Sequence, residues 1–168
     1  MAVSAAGIMF FSVKNTDASF EFKPAGARSA ALAGAYTGLS GDSEAVWFNP
    51  AGLRFSKTVE LNSVYTALYG MKDLTYAGFS AVVPTLNAGA WGFGYSSFGY
   101  SGYRETDLRV SAAAGIGRGA YLGAAIKNNT LAIKNSGRTS AVGFDAGFIA
   151  NVTPFFSIGT SALNINRP

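Results

Sequence analysis

The chain has 168 residues, 49% of them hydrophobic and only 13% charged, with 21 Gly, 13 Phe and 8 Tyr; soluble domains carry about 25% charged residues, so something other than water is expected to cover part of this one. It has no Cys and no His, which excludes thiol nucleophiles, disulfides, imidazole bases, Cys/His zinc centres and histidine-ligated haem. The net charge of +4 is the balance of 13 basic and 9 acidic residues, and the basic ones are scattered from Lys14 to Arg167, so no nucleic-acid footprint is formed along the chain.

The first apolar run, Ala2 to Val13, has the length of a signal-peptide core and falls short of the roughly 20 residues of a spanning helix. Residues 1–18 therefore read as a degenerate signal peptide ending near Thr16-Asp17-Ala18, although the first basic residue, Lys14, follows the core; a buried N-terminal strand is the alternative. Residues 19–57 read as a hatch or plug. Within it Ala27 to Tyr36 is Ala-rich and predicts a short helix with a smooth surface at Ala30 and Gly34. Ser43 to Phe48 predicts a second, with Asp42 placed to cap its free N–H groups. Asn49-Pro50 forces extended backbone, and Gly52 is expected to release the chain into the first strand.

No run of 18 apolar residues and no heptad repeat occurs, which excludes helical membrane spans and coiled coils. Instead, residues 58–168 contain seven segments that alternate in polarity: Thr58–Tyr69, Asp73–Val83, Ala88–Phe98, Asp107–Gly115, Ala120–Ile133, Thr139–Ala150 and Phe155–Asn164. In the third, Trp91, Phe93 and Tyr95 face one way while Ala90, Gly92, Gly94 and Ser96 face the other. The fold expected is all-β: an antiparallel transmembrane β-barrel, partial, with about seven strands present and a short N-terminal helical hatch. A soluble secreted β-sandwich has the same alternation and is the alternative from another class.

The connections are expected to alternate as well. Tight turns fall at Pro84–Asn87, Gly117–Gly119 and Asn151–Pro154, and Gly70–Lys72, Gly99–Thr106 and Lys134–Arg138 lie between them. Outer-membrane barrels set short turns on the periplasmic side and longer loops outside, which places the hatch on the periplasmic side. Reflection about Arg118 sets Arg109 opposite Lys127, and reflection about Ser136 sets Lys127 opposite Asp145, predicting a lumen-facing row of Arg109, Lys127 and Asp145. Such a row serves as a solvated lumen wall or as a substrate site. The Gly-rich third strand is a candidate break through which a ligand leaves sideways into lipid. Tyr100, Tyr103 and Arg104 are placed on a surface loop, as binding residues or interfacial anchors.

Gly26-Ala27-Arg28, Ala33-Gly34-Ala35-Tyr36, Gly41-Asp42-Ser43-Glu44-Ala45 and Trp47-Phe48-Asn49-Pro50-Ala51-Gly52-Leu53 resemble the N-terminal hatch of FadL-like outer-membrane proteins, nearest the PorV/PorQ branch. The resemblance covers roughly Pro24 to Phe55, and its hatch motif maps to Asp42, Trp47, Asn49, Pro50, Ala51 and Gly52, where a structural turn seating the plug is the plainer role. It implies a barrel of about fourteen strands in the bacterial outer membrane. It also implies transport of hydrophobic molecules such as fatty acids, or a part in type IX secretion that binds or shuttles cargo. Outer-membrane lipid is the expected partner in either case, and no cofactor and no catalytic residue is implied.

Seven strands leave two unpaired edges, which hydrocarbon does not tolerate. Asn164-Ile165-Asn166-Arg167-Pro168 also lacks a terminal aromatic, so the chain is expected to be the front half of a longer barrel or to pair with another chain or copy. An enzyme is not expected: Glu60, Asp107 and Asp145 lie on different strands, and Gly115-Ile116-Gly117-Arg118-Gly119 lacks the spacing of a dinucleotide loop.

Overall fold

The structure, a computed structural model, describes residues 26–39, 41–85 and 89–166. The signal-peptide reading of residues 1–18 and the start of the hatch lie outside the described residues, as does part of the Pro84–Asn87 turn. One antiparallel sheet of seven strands in chain order curls into a half-barrel: β1 (Glu60–Ala67), β2 (Thr75–Pro84), β3 (Gly89–Tyr100), β4 (Tyr103–Gly117), β5 (Ala120–Ile133), β6 (Gly137–Thr153) and β7 (Phe156–Ala162). Two short helices, α1 (Ala27–Ala31) and α2 (Ala45–Phe48), and a 3-10 helix over Pro50–Phe55 lie on its concave side. The chain is therefore all-β with a partial barrel wall. Among the described residues the strands form one curled sheet rather than the two of a sandwich.

Period-two alternation explains the two faces. On β3, Trp91, Phe93 and Tyr95 are 50, 45 and 46% exposed on the convex side, while Ala90, Gly92 and Gly94 are buried on the concave side. The same division runs through β4, with Leu108 and Val110 outside and Arg109, Ser111 and Ala113 inside, and through β6, with Val142 and Phe144 outside and Asp145 inside. The hydrophobic core lies between hatch and wall: Tyr36, Ala45, Val46, Trp47, Phe48 and Leu53 pack on Val82, Ala90 and Ala113. Each large apolar side chain buried there contributes about 1.5–3 kcal/mol before ordering entropy is subtracted, and that sum, not helix propensity, holds helices of five and four residues in place.

Several expectations are corrected. The first helix stops at Ala31 rather than Tyr36, because Ala33 (φ 50°) and Gly34 (φ 79°) take left-handed backbone and turn the chain. The second begins at Ala45 rather than Ser43. Gly52 does not release the chain; it is buried inside the 3-10 helix, and β1 begins only at Glu60.

The expected loop Gly99–Thr106 is a two-residue turn, Ser101-Gly102, with Tyr100 paired to Tyr103 and Gly99 to Arg104. With that loop gone, the longest connection at that end is the one between β1 and β2, residues 68–74. The Gly-rich third strand is unbroken, pairing with β2 and β4 without a register shift; the irregularities fall instead at Gly115/Gly117 and Asn151/Thr153.

Candidate functional site

The hatch is seated on glycines. On the concave face a Cβ at Gly92 would lie 2.7 Å from Leu53 and 2.8 Å from Val46, and one at Gly94 would lie 2.7 Å from Val46. At Gly123 it would lie 2.2 Å from Ala51 N, and at Gly147 2.0 Å from Asn49 Oδ1. At Gly159 it would lie 2.7 Å from both Gly38 Cα and Thr37 O. Real Cβ atoms do not approach so closely, so β3, β5, β6 and β7 each supply a bare backbone patch against which the hatch closes.

Within the hatch motif, Asn49 is the joint. It is fully buried and extended (φ −156°, ψ 102°), as a residue before proline should be, and its Oδ1 accepts the Ala51 N–H at 3.1 Å to start the 3-10 helix. Its Nδ2 lies 2.9 Å from Thr37 O, 3.2 Å from Phe148 O and 3.3 Å from Thr160 O, so its two hydrogens tie the hatch to itself and to neighbouring carbonyls of β6 and β7. Pro50, Ala51 and Gly52 are buried beside it, Ala51 against Gly123. Asn49→Ala is expected to lower the stability of the seated hatch by about 2 kcal/mol, by leaving these groups buried and unpaired. Asn49→Asp should lower it further, since a carboxylate cannot donate. The urea midpoint of Trp47 fluorescence, in a Trp91→Phe background, measures both.

Asp42 caps the Glu44 N–H just ahead of α2 and also organises the hatch. Its Oδ1 accepts the Glu44 N–H at 3.0 Å, and its Oδ2 takes Tyr36 Oη at 2.5 Å and Arg28 Nη1 at 2.8 Å. The Glu44 carboxylate receives the Ser29 N–H of α1 at 3.0 Å. Burial, then the bond to Asp42, pushes the Tyr36 hydroxyl above the ordinary tyrosine range, so it stays protonated as a donor, and the same carboxylate raises Arg28.

Beside the hatch lies a buried charge cluster. Arg109 pairs with Lys127 across β4 and β5, whereas Lys127 pairs with Gly143 and not with Asp145, because the β5–β6 hairpin is centred on Asn135 rather than Ser136. Asn135 takes left-handed backbone (φ 67°), followed by Gly137 at φ 104°, and shifting the centre by one residue moves each partner by two. Lys127 nevertheless reaches Asp145, with Nζ 2.7 Å from Oδ1 and 2.9 Å from Oδ2, because Gly143 has no side chain and leaves room for the lysine stem to cross diagonally.

Asp145 Oδ2 also lies 3.6 Å from Arg109 Nη1, and its Oδ1 accepts the Asn164 N–H at 2.8 Å. Arg109 forks onto Asp107, with Nε 3.0 Å from Oδ1, donates Nη1 to Val46 O at 3.3 Å, and sits 4.5 Å over the Trp47 ring. Two cations thus face two anions, and the arginine clamps the hatch to the wall.

The row named from sequence lacked Asp107 and Trp47. Asp107 is legible as the carboxylate two residues before Arg109 on the same face; the stacking of Trp47 is not visible before the hatch is placed. Tyr100, Tyr103 and Arg104, expected on a loop, are instead the last residues of β3 and the first of β4, with the two tyrosine rings stacked at 6.5 Å. Among the described residues no group of three Asp, Glu, His or Cys is placed to hold a metal ion. Comparison of the chain with protein-family models, with curated proteins and with solved structures finds no match.

Proposed function

We propose that this chain forms one side of a plugged β-barrel in the bacterial outer membrane, of the FadL-like kind and nearest its PorV/PorQ branch, through which hydrophobic molecules such as fatty acids pass. The observation that carries the reading is the apolar convex face. From Leu108 to Ile116 every outward residue of β4 is apolar, which at ~3.3 Å per residue is about 26 Å of strand. A tilt of 35–45° turns that into about 20 Å of membrane, near the roughly 25 Å apolar band of outer-membrane barrels. Phe93, Val110, Ile126 and Phe144 form one continuous row across β3 to β6 within it. In that setting the outer edges of β1 and β7 must be paired by further strands, because backbone groups in hydrocarbon have to be bonded.

Transport further requires that the hatch can leave its seat. Ser80 and Ser111 lie fully buried on the concave face, where movement of the hatch would open polar surface to water. The two-residue turn at Ser101-Gly102 offers less surface to secreted cargo than the loop expected there, which favours transport over secretion.

In fractionated cells the protein should be found in the outer membrane, and deletion of its gene should lower uptake of a labelled long-chain fatty acid. Unchanged uptake with the protein correctly located would overturn transport while leaving the membrane placement intact. Ile126→Arg, which puts a charge in the middle of the band, is expected to cost about 2–4 kcal/mol of folding into the bilayer, read as loss of heat-resistant protein from the membrane fraction. Lys72→Arg, at an exposed position outside the band, should be tolerated in that assay.

A further inference from the structure

Beyond the apolar band, the register arranges the convex side of β4 to β6 into two polar rows. Thr106, Thr130 and Ser140 form the first, with Thr130 and Ser140 hydroxyls 3.0 Å apart. The next carries Arg104 and Arg138 on either side of Ala132. The two arginines are two strands apart, about 10 Å between backbones, close enough for both guanidiniums to reach one anion between them. Both are exposed, and neither makes an ion pair among the described residues.

The carboxylates nearest in sequence, Glu105 and Asp107, belong to the concave face, so no acid neutralises the pair from its own side of β4 to β6; Asp73 is in the β1–β2 connection at the same end. Lys134, in the turn between β5 and β6, adds a third exposed cation at that end. The arginine row begins about 7 Å along the strand beyond the hydroxyls. That depth falls within reach of a headgroup layer roughly 5–8 Å thick on each side of the hydrocarbon.

We infer that Arg104 and Arg138 clamp the phosphate of a lipid headgroup in the leaflet opposite the hatch, with the Thr106 and Ser140 hydroxyls serving the oxygens beneath it. Arginine suits this role because its planar fork binds phosphate oxygens in pairs while its stem lies along apolar surface. The inference rests on the outer-membrane reading above and adds to it a specific lipid contact.

The test uses full-length protein extracted from the outer-membrane fraction in mild detergent, with co-purifying lipid identified and counted by mass spectrometry. Wild type and Lys72→Gln, a cation at the same end but outside the patch, should retain the same phosphate-bearing lipid. Arg104→Gln/Arg138→Gln should retain about tenfold less. Arg104→Lys/Arg138→Lys, which keeps the charge and loses the fork, should fall between and keeps the test decisive if the Gln variant folds poorly. Equal retention by wild type and both double variants overturns the site. Retention of inorganic phosphate by the wild type with no lipid retained overturns a lipid headgroup in favour of a free anion. Absence of wild-type protein from the outer membrane overturns the membrane reading itself and is seen before any lipid is counted.

Discussion

Gly123→Ala is expected to unseat the hatch while leaving the strands paired. The added Cβ would lie 2.2 Å from Ala51 N and 2.3 Å from Pro50 C, and both are backbone atoms that no rotamer change can move aside. Either β5 bends outward or the 3-10 helix lifts, and overpacking against backbone falls at the upper end of the usual 1–3 kcal/mol, about 3 kcal/mol or more here. Lifting is the easier path, because β5 is bonded to strands on both sides while the hatch is held by side chains. The expected result is faster proteolytic cleavage between residues 26 and 57, with the melting temperature of the strands nearly unchanged. Gly117→Ala is the control, since nothing lies within 4 Å of its added Cβ. If the hatch is the barrier to passage, Gly123→Ala should also make cells more sensitive to bulky antibiotics. Unaltered cleavage would mean that residues 50–51 do not rest on β5.

How much of this was legible in the sequence depends on which interactions are local. Strand alternation is local, so all seven strands are present, and β5 matches its expected limits, Ala120 and Ile133, because glycine turns bound it on both sides. The start of β4 was obscured by Gly99, Ser101 and Gly102, which resemble a long loop. A Ser-Gly pair between two strands is also a turn signal of two-residue length. Hairpin centres are harder. Asn135 and Ser136 both suit a turn, and the difference between them moves Lys127 from Asp145 to Gly143.

The concave glycines were visible as the small face of the strands, yet their use was not. Gly92 and Gly94 suggested a weak wall, whereas Val46, Leu53 and Trp47 fill the space that they leave. The hatch itself was the least predictable part. Helices of four and five residues have no stability of their own, so their limits are set by what they touch, and one of the hatch's contacts, between Asn49 and Thr160, spans 111 positions of sequence.

The charge cluster makes the second large effect. Asp145 is 2% exposed and is the carboxylate shared by Lys127 and Arg109, so Asp145→Asn changes a neutral set of two cations and two anions into one with a net positive charge. Removing one member of a buried ion pair costs about 3–5 kcal/mol, because the partner stays desolvated. Lys127→Met should cost less, since Asp145 keeps Arg109 and the Asn164 N–H.

Lys127→Met/Asp145→Leu removes both charges at once and leaves Arg109 with Asp107, so it is expected to be more stable than Asp145→Asn alone. Urea unfolding of the four proteins in detergent micelles gives the coupling as a double-mutant cycle, with Asp145→Leu as the second single variant. A coupling of about 2 kcal/mol or more identifies Lys127 and Asp145 as a pair that is buried when the hatch is seated. A value near zero would mean that water reaches both groups.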